Sequence, residues 1–494
     1  MLFSLTWSEV LLALHFTVVV ACAVRVLYRQ RNTGSAFAWL VILLAFPMVG
    51  VIAYLLVGET RIGRRRLART SEMTQFYQNF ASDYLTDEQH FSTDKQLPKS
   101  HQGIEKMVKK ATGLGANQHN DMQLLTSTDD IINAMIADIR QAKLSCLLAF
   151  YIIEPEGRID ALLQAVLDAA QRGVRCVILA DAIGSSRFFR SQWHTKLQSA
   201  GVFVQSSLPI SLLRTLYTRN DLRNHRKILV VDYYIGYTGS FNLIDPRYFK
   251  KDSGVGEWVD VMMRCTGAVV LEMAAVLYAD IAVESEENLQ LVQSYLLRYE
   301  QTDVAAIPTP TGNITTQVIP SAPEQDESII YETILCAIHS ATKRIVITTP
   351  YFVPNEPLLI ALTTAARRGV DVTLILPEKV DSIMVRYASR AYFPLLLKHG
   401  IKIAQFNAGL LHAKTLVIDD DFSLFGTVNM DMRSFFLNLE ISLAIYNRNM
   451  TAQIAALQQQ YLADSRYIDE VDWLYRQKWW GLVENIVRLV SPLL

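Results

Sequence analysis

Cysteine is scarce in this chain: five in 494 residues, with no C-x-x-C pair among them. Cys22, Cys146, Cys176, Cys265 and Cys336 are odd in number and mostly sit in apolar runs. They read as buried thiols in a reducing compartment, not as a disulfide framework or a metal site. There is no H-E-x-x-H or comparable metal signature, and the nine histidines are scattered apart from those discussed below. Charge of one sign is missing too. Lys and Arg number 47 against 48 Asp and Glu, so the formal net charge is -1 and there is no global basic field for nucleic acid. No metal, cofactor, nucleotide or nucleic-acid partner is expected. What the chain does have is apolar surface, with 51% hydrophobic residues and a mean hydropathy of +0.18, values that suggest membrane contact. Its length suits two or three domains.

Much of that hydropathy lies in the first 60 residues, which read as a transmembrane hairpin with spans at about 8–28 and 36–57. Val10 to Leu27 is apolar except for His15, Thr17 and Arg25, and Glu9 stands where a signal peptide would carry basic residues. Ala36 to Val57 carries no charge. As one straight helix it would span about 33 Å, enough for a hydrocarbon core of about 30 Å. Trp39 and Tyr54 fall near its ends as interfacial anchors, and Pro47 is a kink site. Arg25, Arg29 and Arg31 lie in the turn, while Arg61, Arg64, Arg65, Arg66 and Arg69 follow the second span. The first cluster alone argues for a main domain outside the cell. The larger second cluster argues for a cytoplasmic one, which is the expectation here, in a multi-pass protein of the bacterial inner membrane. The second cluster reads equally as a lipid-headgroup contact or as a topology signal.

One pattern, H-x-K-x4-D-x6-G-[ST]-x-N, occurs twice without a slip. It runs from His225, Lys227 and Asp232 to Gly239, Ser240 and Asn242, and again from His412, Lys414 and Asp419 to Gly426, Thr427 and Asn429. Residues two apart on a strand share a face. Ile228 to Val231 and Leu416 to Ile418 read as buried strands, so each motif sets an imidazole beside an ammonium at a strand start. Imidazole serves as nucleophile or proton carrier near neutral pH, and lysine as a charge for a phosphate oxygen. The Asp, at the far end of the strand, orients either an imidazole or a neighbouring backbone. Glycine allows close approach, and the Ser/Thr and Asn side chains supply hydrogen bonds. Two histidines, one to attack and one to protonate a leaving group, suffice for phosphodiester exchange.

The paired motif resembles the phospholipase D superfamily. Its flanks, Gly239 to Tyr248, Thr349 to Pro354, and Gly426 to Ser434 followed by Asn438-Leu439-Glu440, resemble the bacterial cardiolipin synthase branch. The resemblance implies two α/β/α lobes, mixed sheets flanked by helices, sharing one active site. It also implies transfer of a phosphatidyl group from one phosphatidylglycerol to another through a phosphatidyl-histidine, giving cardiolipin and glycerol. His225 would attack and His412 would act as acid and base. Lys227, Lys414, Asn242 and Asn429 would hold phosphate oxygens, Asp232 and Asp419 would support the histidines, Ser240 and Thr427 would line the substrate site, and Glu440 would orient a group or line the site, with an exposed or structural glutamate as the rival reading. The alternatives are a phospholipase D releasing phosphatidic acid, a nuclease, and a non-catalytic lipid-binding scaffold. Near-neutral charge disfavours the nuclease, and two intact motifs disfavour the scaffold.

A polar connector is expected over 61–121, a first lobe over 122–305 and a second over 306–494. The lobes repeat one α/β unit: Ala170-Gln171-Arg172-Gly173-Val174 matches Ala366-Arg367-Arg368-Gly369-Val370. Ile307 to Pro310 and Pro320 to Pro323 mark the linker between them. Pseudo-two-fold packing would bring the two motif strands together at the interface. Glu257 follows the first motif at a spacing unlike that of Glu440. Phe188, Phe189, Leu208 to Leu216 and the Tyr351-Phe352-Val353-Pro354 turn read either as a lipid entrance or as core. The C-terminal stretch, with Trp473, Trp479, Trp480 and Leu482 to Leu494, is amphipathic and reads either as lying on a membrane or as a packed helix.

Overall fold

The computed structural model describes residues 6–29, 33–58, 63, 65–73, 97–209, 219, 221–301, 311–324 and 328–489. The Ile307–Pro310 linker, most of the 208–216 stretch, and Arg31, Arg61 and Arg64 lie outside the described residues.

The N-terminal region is three helices: α1 (Trp7–Arg29), α2 (Thr33–Ala45) and α3 (Pro47–Val57). Among the described residues only α1 is long and apolar enough to cross a membrane by itself. The segment expected as a straight second span reverses at Phe46, where φ is -133° and ψ 67°, just ahead of Pro47 at the start of α3. Trp39 and Tyr54 would be about 22 Å apart along one straight helix. Here their rings meet edge to face at 5.4 Å, and both are buried against Leu43, Cys22 and Val26. They are the core of a folded-back helix pair and not interfacial anchors. Gly50 permits the close approach, since a Cβ there would lie 2.8 Å from the Ile42 carbonyl oxygen. Beyond α3, Arg66 pairs with Glu284 and Glu324, and Arg69 donates to the Val283 carbonyl. These two cations are used to dock residues 65–73 on the body of the protein.

Helix α4 (Lys99–Thr112) precedes the first lobe and packs on the second, with Ile104 and Val108 in the second-lobe core. The first lobe contains β1 (Asn117–Leu125), α5 (Thr128–Gln141), β2 (Ser145–Phe150), α6 (Arg158–Gln171), β3 (Arg175–Asp181), β4 (Phe203–Ser207), β5 (Ile228–Val231), β6 (Ile235–Gly239), β7 (Met262–Thr266) and α7 (Ala268–Ala282). The second contains β8 (Ile314–Ser321), α8 (Ile329–Ser340), β9 (Arg344–Thr348), α9 (Glu356–Arg367), β10 (Asp371–Pro377), α10 (Ile383–Arg390), β11 (Lys402–Phe406), β12 (Thr415–Ile418), β13 (Phe422–Gly426), β14 (Asn438–Ile445), α11 (Arg448–Ala463), β15 (Ser465–Tyr467) and α12 (Lys478–Leu489). The boundary expected near 121 falls inside β1.

Matching residues build matching joints. Gly173 and Gly369, both at φ +90°, end α6 and α9 in the left-handed region. Val174 and Val370 then donate back to Ala169 and Ala365, both at 3.1 Å. Arg172 and Arg368 tie the turns to carbonyls at the ends of α5 and α8. Strand order is β15-β11-β10-β9-β12-β13-β14-β8 in one half and β1-β7-β6-β5-β2-β3-β4 in the other, joined by the antiparallel, bulged β8–β1 pair. Side chains alternate in the motif strands. Ile228, Val230 and Val417 enter a central core shared by the lobes, with α7 and α11 inside it. Leu229 and Val231 face α5 and α6, while Leu416 and Ile418 face α8 and α9. Each such fully buried aliphatic contributes about 1.5–3 kcal/mol. The motif strands are thus central within each half-sheet, and the segments preceding them make the interface.

Candidate active site

The interface is built by two short parallel pairings across the lobes. Arg223–Asn224 pairs with Asn438–Leu439, and Leu410–Leu411 pairs with Trp258–Val259. The backbone N–H of His225 donates to the Leu439 carbonyl and that of His412 to the Val259 carbonyl, both at 2.9 Å. Each histidine is therefore positioned by the opposite lobe.

The motif aspartates do a different job. Asp232 and Asp419 begin the turns after β5 and β12 at φ +52° and +50°, a conformation that aspartate tolerates. Asp232 accepts the N–H groups of Lys143, Leu144 and Ser145 at 2.7–2.9 Å. Asp419 accepts those of Thr342, Lys343 and Arg344 at 2.7–3.0 Å, and the Thr342 hydroxyl. They fasten the starts of β2 and β9. Of the two roles open to them, backbone support is the one observed, and the histidines take other partners.

Those partners are carboxylates exchanged between lobes. His225 Nδ1 lies 2.9 Å from both oxygens of Glu440, and His412 Nδ1 lies 2.6 Å from Asp260 Oδ1. Both carboxylates are buried. Thr427 donates to Glu440 at 2.5 Å and accepts the Ile441 N–H at 3.0 Å. Ser240 donates to Asp260 at 2.6 Å and accepts the Val261 N–H at 2.9 Å. Gly239 and Gly426 precede these hydroxyl residues because a Cβ at either would meet the Val261 or Ile441 carbonyl oxygen at 2.4 Å. The G-[ST] step thus serves to grip a carboxylate that serves the other lobe's histidine. Arg226 pins the same region, donating to the Glu440 and Ser321 carbonyls and pairing with buried Asp280.

Asp260 was missed in the sequence. It lies twenty residues after Ser240, whereas Glu440 lies thirteen after Thr427. The signal was a lone acidic residue just before a mostly apolar stretch, Val261-Met262-Met263 after Asp260 and Ile441-Ser442-Leu443 after Glu440. Glu257, weighed in its place, is exposed and contributes its backbone carbonyl to Leu410.

Lys227 and Lys414 are buried, and each donates to the carbonyl of its own motif histidine, at 2.7 and 2.6 Å. Burial pushes Lys227 down to about 8, against the pull of Glu440 and Asp260. Lys414 is lowered by burial and by Lys227. Burial, with the lysine charges, also takes both histidines down to about 4. Glu440 and Asp260 are held below the ordinary carboxylate range, despite burial, by the histidines and lysines. At neutral pH the centre therefore holds two neutral imidazoles, two carboxylates and cationic lysine. An arriving phosphodiester anion offsets the lysine charge and raises the imidazole basicity.

Asn242 accepts the Ile152 N–H through its carbonyl at 3.2 Å, and Asn429 is buried, its Oδ1 without a hydrogen-bond partner among the described residues. Around the centre, Tyr151 lies against His225 at 5.1 Å and Trp258 against His412 at 4.4 Å. Tyr351 donates to Asp381 at 2.5 Å, and Lys250 of the first lobe reaches the same carboxylate at 3.1 Å. Within the Tyr351–Pro354 turn Tyr351 belongs to this rim, while Phe352 and Val353 are core. Phe188 is fully buried in the first-lobe core.

A family model described as "Cardiolipin synthase, PLD-like domain" matches twice, over residues 135–253 and 334–462. The chain belongs to the cardiolipin synthase family. A second model, "Phospholipase_D-nuclease N-terminal", matches residues 17–59. Cardiolipin synthase A of Klebsiella pneumoniae (strain 342) is 40% identical over 480 residues, covering 97% of each chain. The protein of that name from Edwardsiella ictaluri (strain 93-146) is 40% identical over 482 residues with the same coverage. The crystal structure of phosphatidylserine synthase from Haemophilus influenzae Rd KW20 superposes with a TM-score of 0.58 at 15% identity, over 79% of this chain and 100% of that one, a likeness of fold. The family's phospholipase D-like lobes are the duplicated α/β units described above.

Proposed function

We propose that this chain is a membrane-bound phosphatidyltransferase that makes cardiolipin and glycerol from two phosphatidylglycerols. The observation that carries the reading is the reciprocal exchange of carboxylates. With Nδ1 of each imidazole capped by the opposite lobe, Nε2 of each is left for a phosphodiester held by Lys227, Lys414, Asn242 and Asn429. His225 Nε2 attacks the phosphorus of the donor lipid while the bond to the glycerol oxygen breaks. His412, which takes up a proton at Nε2 once the bound phosphodiester anion has raised its basicity, gives that oxygen the proton. The second phosphatidylglycerol then places a hydroxyl at the phosphorus, His412 removes the proton, and the P–N bond breaks as the new P–O bond forms. Splitting the exchange in two, with acid–base help worth about 10²–10⁴-fold, suits a buried site. His412 takes the proton-carrying role because its 2.6 Å contact with Asp260 is the shorter carboxylate bond. The motif aspartates act through the backbone.

For topology, the reversal at Phe46 brings the chain back to the side from which α2 starts. Arg29 before the pair and Arg65, Arg66 and Arg69 after it then share one side, which removes the conflict between the two basic clusters. By the excess of basic residues that side is cytoplasmic, and so are the lobes.

The test supplies purified, detergent-solubilised protein with phosphatidylglycerol alone and a chelator. Cardiolipin and glycerol in equal amounts, lost in His225→Ala and in His412→Ala, is the expected result. Phosphatidic acid without cardiolipin would replace the reading with a phospholipase.

A further inference from the structure

Helix α12 has two apolar faces, and among the described residues only one is packed. Its inner face packs on α10. Trp480 stacks on Tyr387 at 5.8 Å, and Glu484, 1% exposed, is held by Arg476 at 2.7 Å and by Arg390 at 3.4 Å. Its outer face carries Trp479, Leu482, Ile486 and Leu489, which are 51–71% exposed. Their spacing of three, four and three residues makes one continuous stripe along the helix. At the start of α10, Ile383 and Met384 are also exposed. Contiguous exposed apolar surface of this kind marks an interaction site.

Three features say what covers it. The patch is continuous with the active-site rim, since Ile383 is two residues beyond Asp381, the carboxylate that binds Tyr351 and Lys250. Its flanking exposed charges, Arg386 and Arg488, are both basic. Its aromatic member is a tryptophan, the residue that favours the headgroup level of a bilayer.

We infer that the α10–α12 face lies in the surface of the anionic bilayer that α1 crosses, inserting Trp479, Leu482, Ile486, Leu489 and Ile383 among the lipids at the mouth of the site. The inference rests on the reading of the substrate as a membrane lipid. The docked face holds the rim at headgroup depth, so that a phosphatidylglycerol headgroup reaches the histidines while its acyl chains stay in the bilayer. A free aqueous lipid gains nothing from the stripe.

Two measurements on the full chain test this. In bilayers containing phosphatidylglycerol, the double variant Leu482→Gln/Ile486→Gln should turn over lipid at least tenfold more slowly, since losing one inserted aliphatic side chain weakens partition by about tenfold. On short-chain phosphatidylglycerol dispersed as monomers its rate should stay within about threefold of the parent, which also reports intact folding. Equal losses on both lipids would overturn the inference. Second, Cys336, the exposed cysteine among the five, is replaced by serine and Leu482→Cys carries an environment-sensitive fluorophore. Brominated phosphatidylglycerol should quench that label. Absence of quenching overturns the inference, and label-to-label cross-linking between copies would assign the stripe to a dimer. Quenching needs no turnover, so a protein that makes no cardiolipin yet is quenched loses the reaction assigned above and keeps the docked face.

Discussion

Replacing Glu440 with glutamine removes one charge and almost no shape. The new amide could still accept from Asn438, 3.2 Å from the present Oε1, and meet the Thr427 hydroxyl, so the fold should persist. What changes is the imidazole. An amide nitrogen turned toward Nδ1 would favour the wrong tautomer, and an amide oxygen would leave the positive charge that develops on His225 without its counter-ion. The ring and carboxylate charges are about 4 Å apart, and at an effective dielectric of about 20 they attract by about 4 kcal/mol. Lost in the transition state, that is about 10³-fold in rate. The assay is the initial rate of cardiolipin formation in mixed micelles, with kcat and KM separated and Tm recorded alongside. The expectation is a kcat about 10³ lower, KM within about threefold, and Tm nearly unchanged. A loss of less than tenfold would refute the orienting role. So would a large loss that tracked a collapse in Tm, because Glu440 would then be a structural carboxylate.

In His412→Ala, a phosphatidyl donor with a nitrophenol leaving group needs no proton, so the lipid should accumulate covalently on His225. Mass spectrometry after alkaline denaturation locates it, and label on any other residue would reverse the assigned roles. Rising pH should remove the Lys227 charge near its lowered value of about 8, so the rate should fall above about pH 8. A plateau to about pH 10, the ordinary range of a lysine, would exclude a charged Lys227 from the rate-determining step. Asp419→Asn and Asp232→Asn weaken a clamp on three backbone N–H groups and should each cost about 1–3 kcal/mol of stability, seen as a lower Tm. The kcat of the folded fraction should stay within about fivefold, and a loss near 10³ at constant Tm would return these residues to the chemistry.

Each residue of the motif is legible because a local constraint leaves few alternatives. The aspartate must sit in a left-handed turn and accept three N–H groups, the glycine must clear a carbonyl oxygen, and the Ser or Thr must grip a carboxylate. Such constraints fix spacing, so the pattern survives in both halves. Asp260 was not legible by spacing because the first lobe carries seven extra residues between its hydroxyl and its carboxylate, and Lys251–Ser253, a short 3₁₀ turn, lies within that stretch. The reversal at Phe46 escaped for another reason. Hydropathy reports that Ala36 to Val57 is apolar, but Gly50 and the Trp39–Tyr54 contact decide whether it runs straight or folds back.

The repeat itself invites the reading of two sites, one per motif, and the carboxylate exchange excludes it. Glu440 serves His225 and Asp260 serves His412, so a lobe alone has a histidine whose Nδ1 partner is missing and a buried carboxylate whose imidazole partner is missing. An uncompensated buried charge is costly, several kcal/mol in measured cases. The bonds that orient the imidazoles cross between the lobes, so catalytic competence requires both. Damage to either motif should abolish the whole reaction and leave no half-activity, which a mixture of separately expressed halves, each inactive until combined, would display directly.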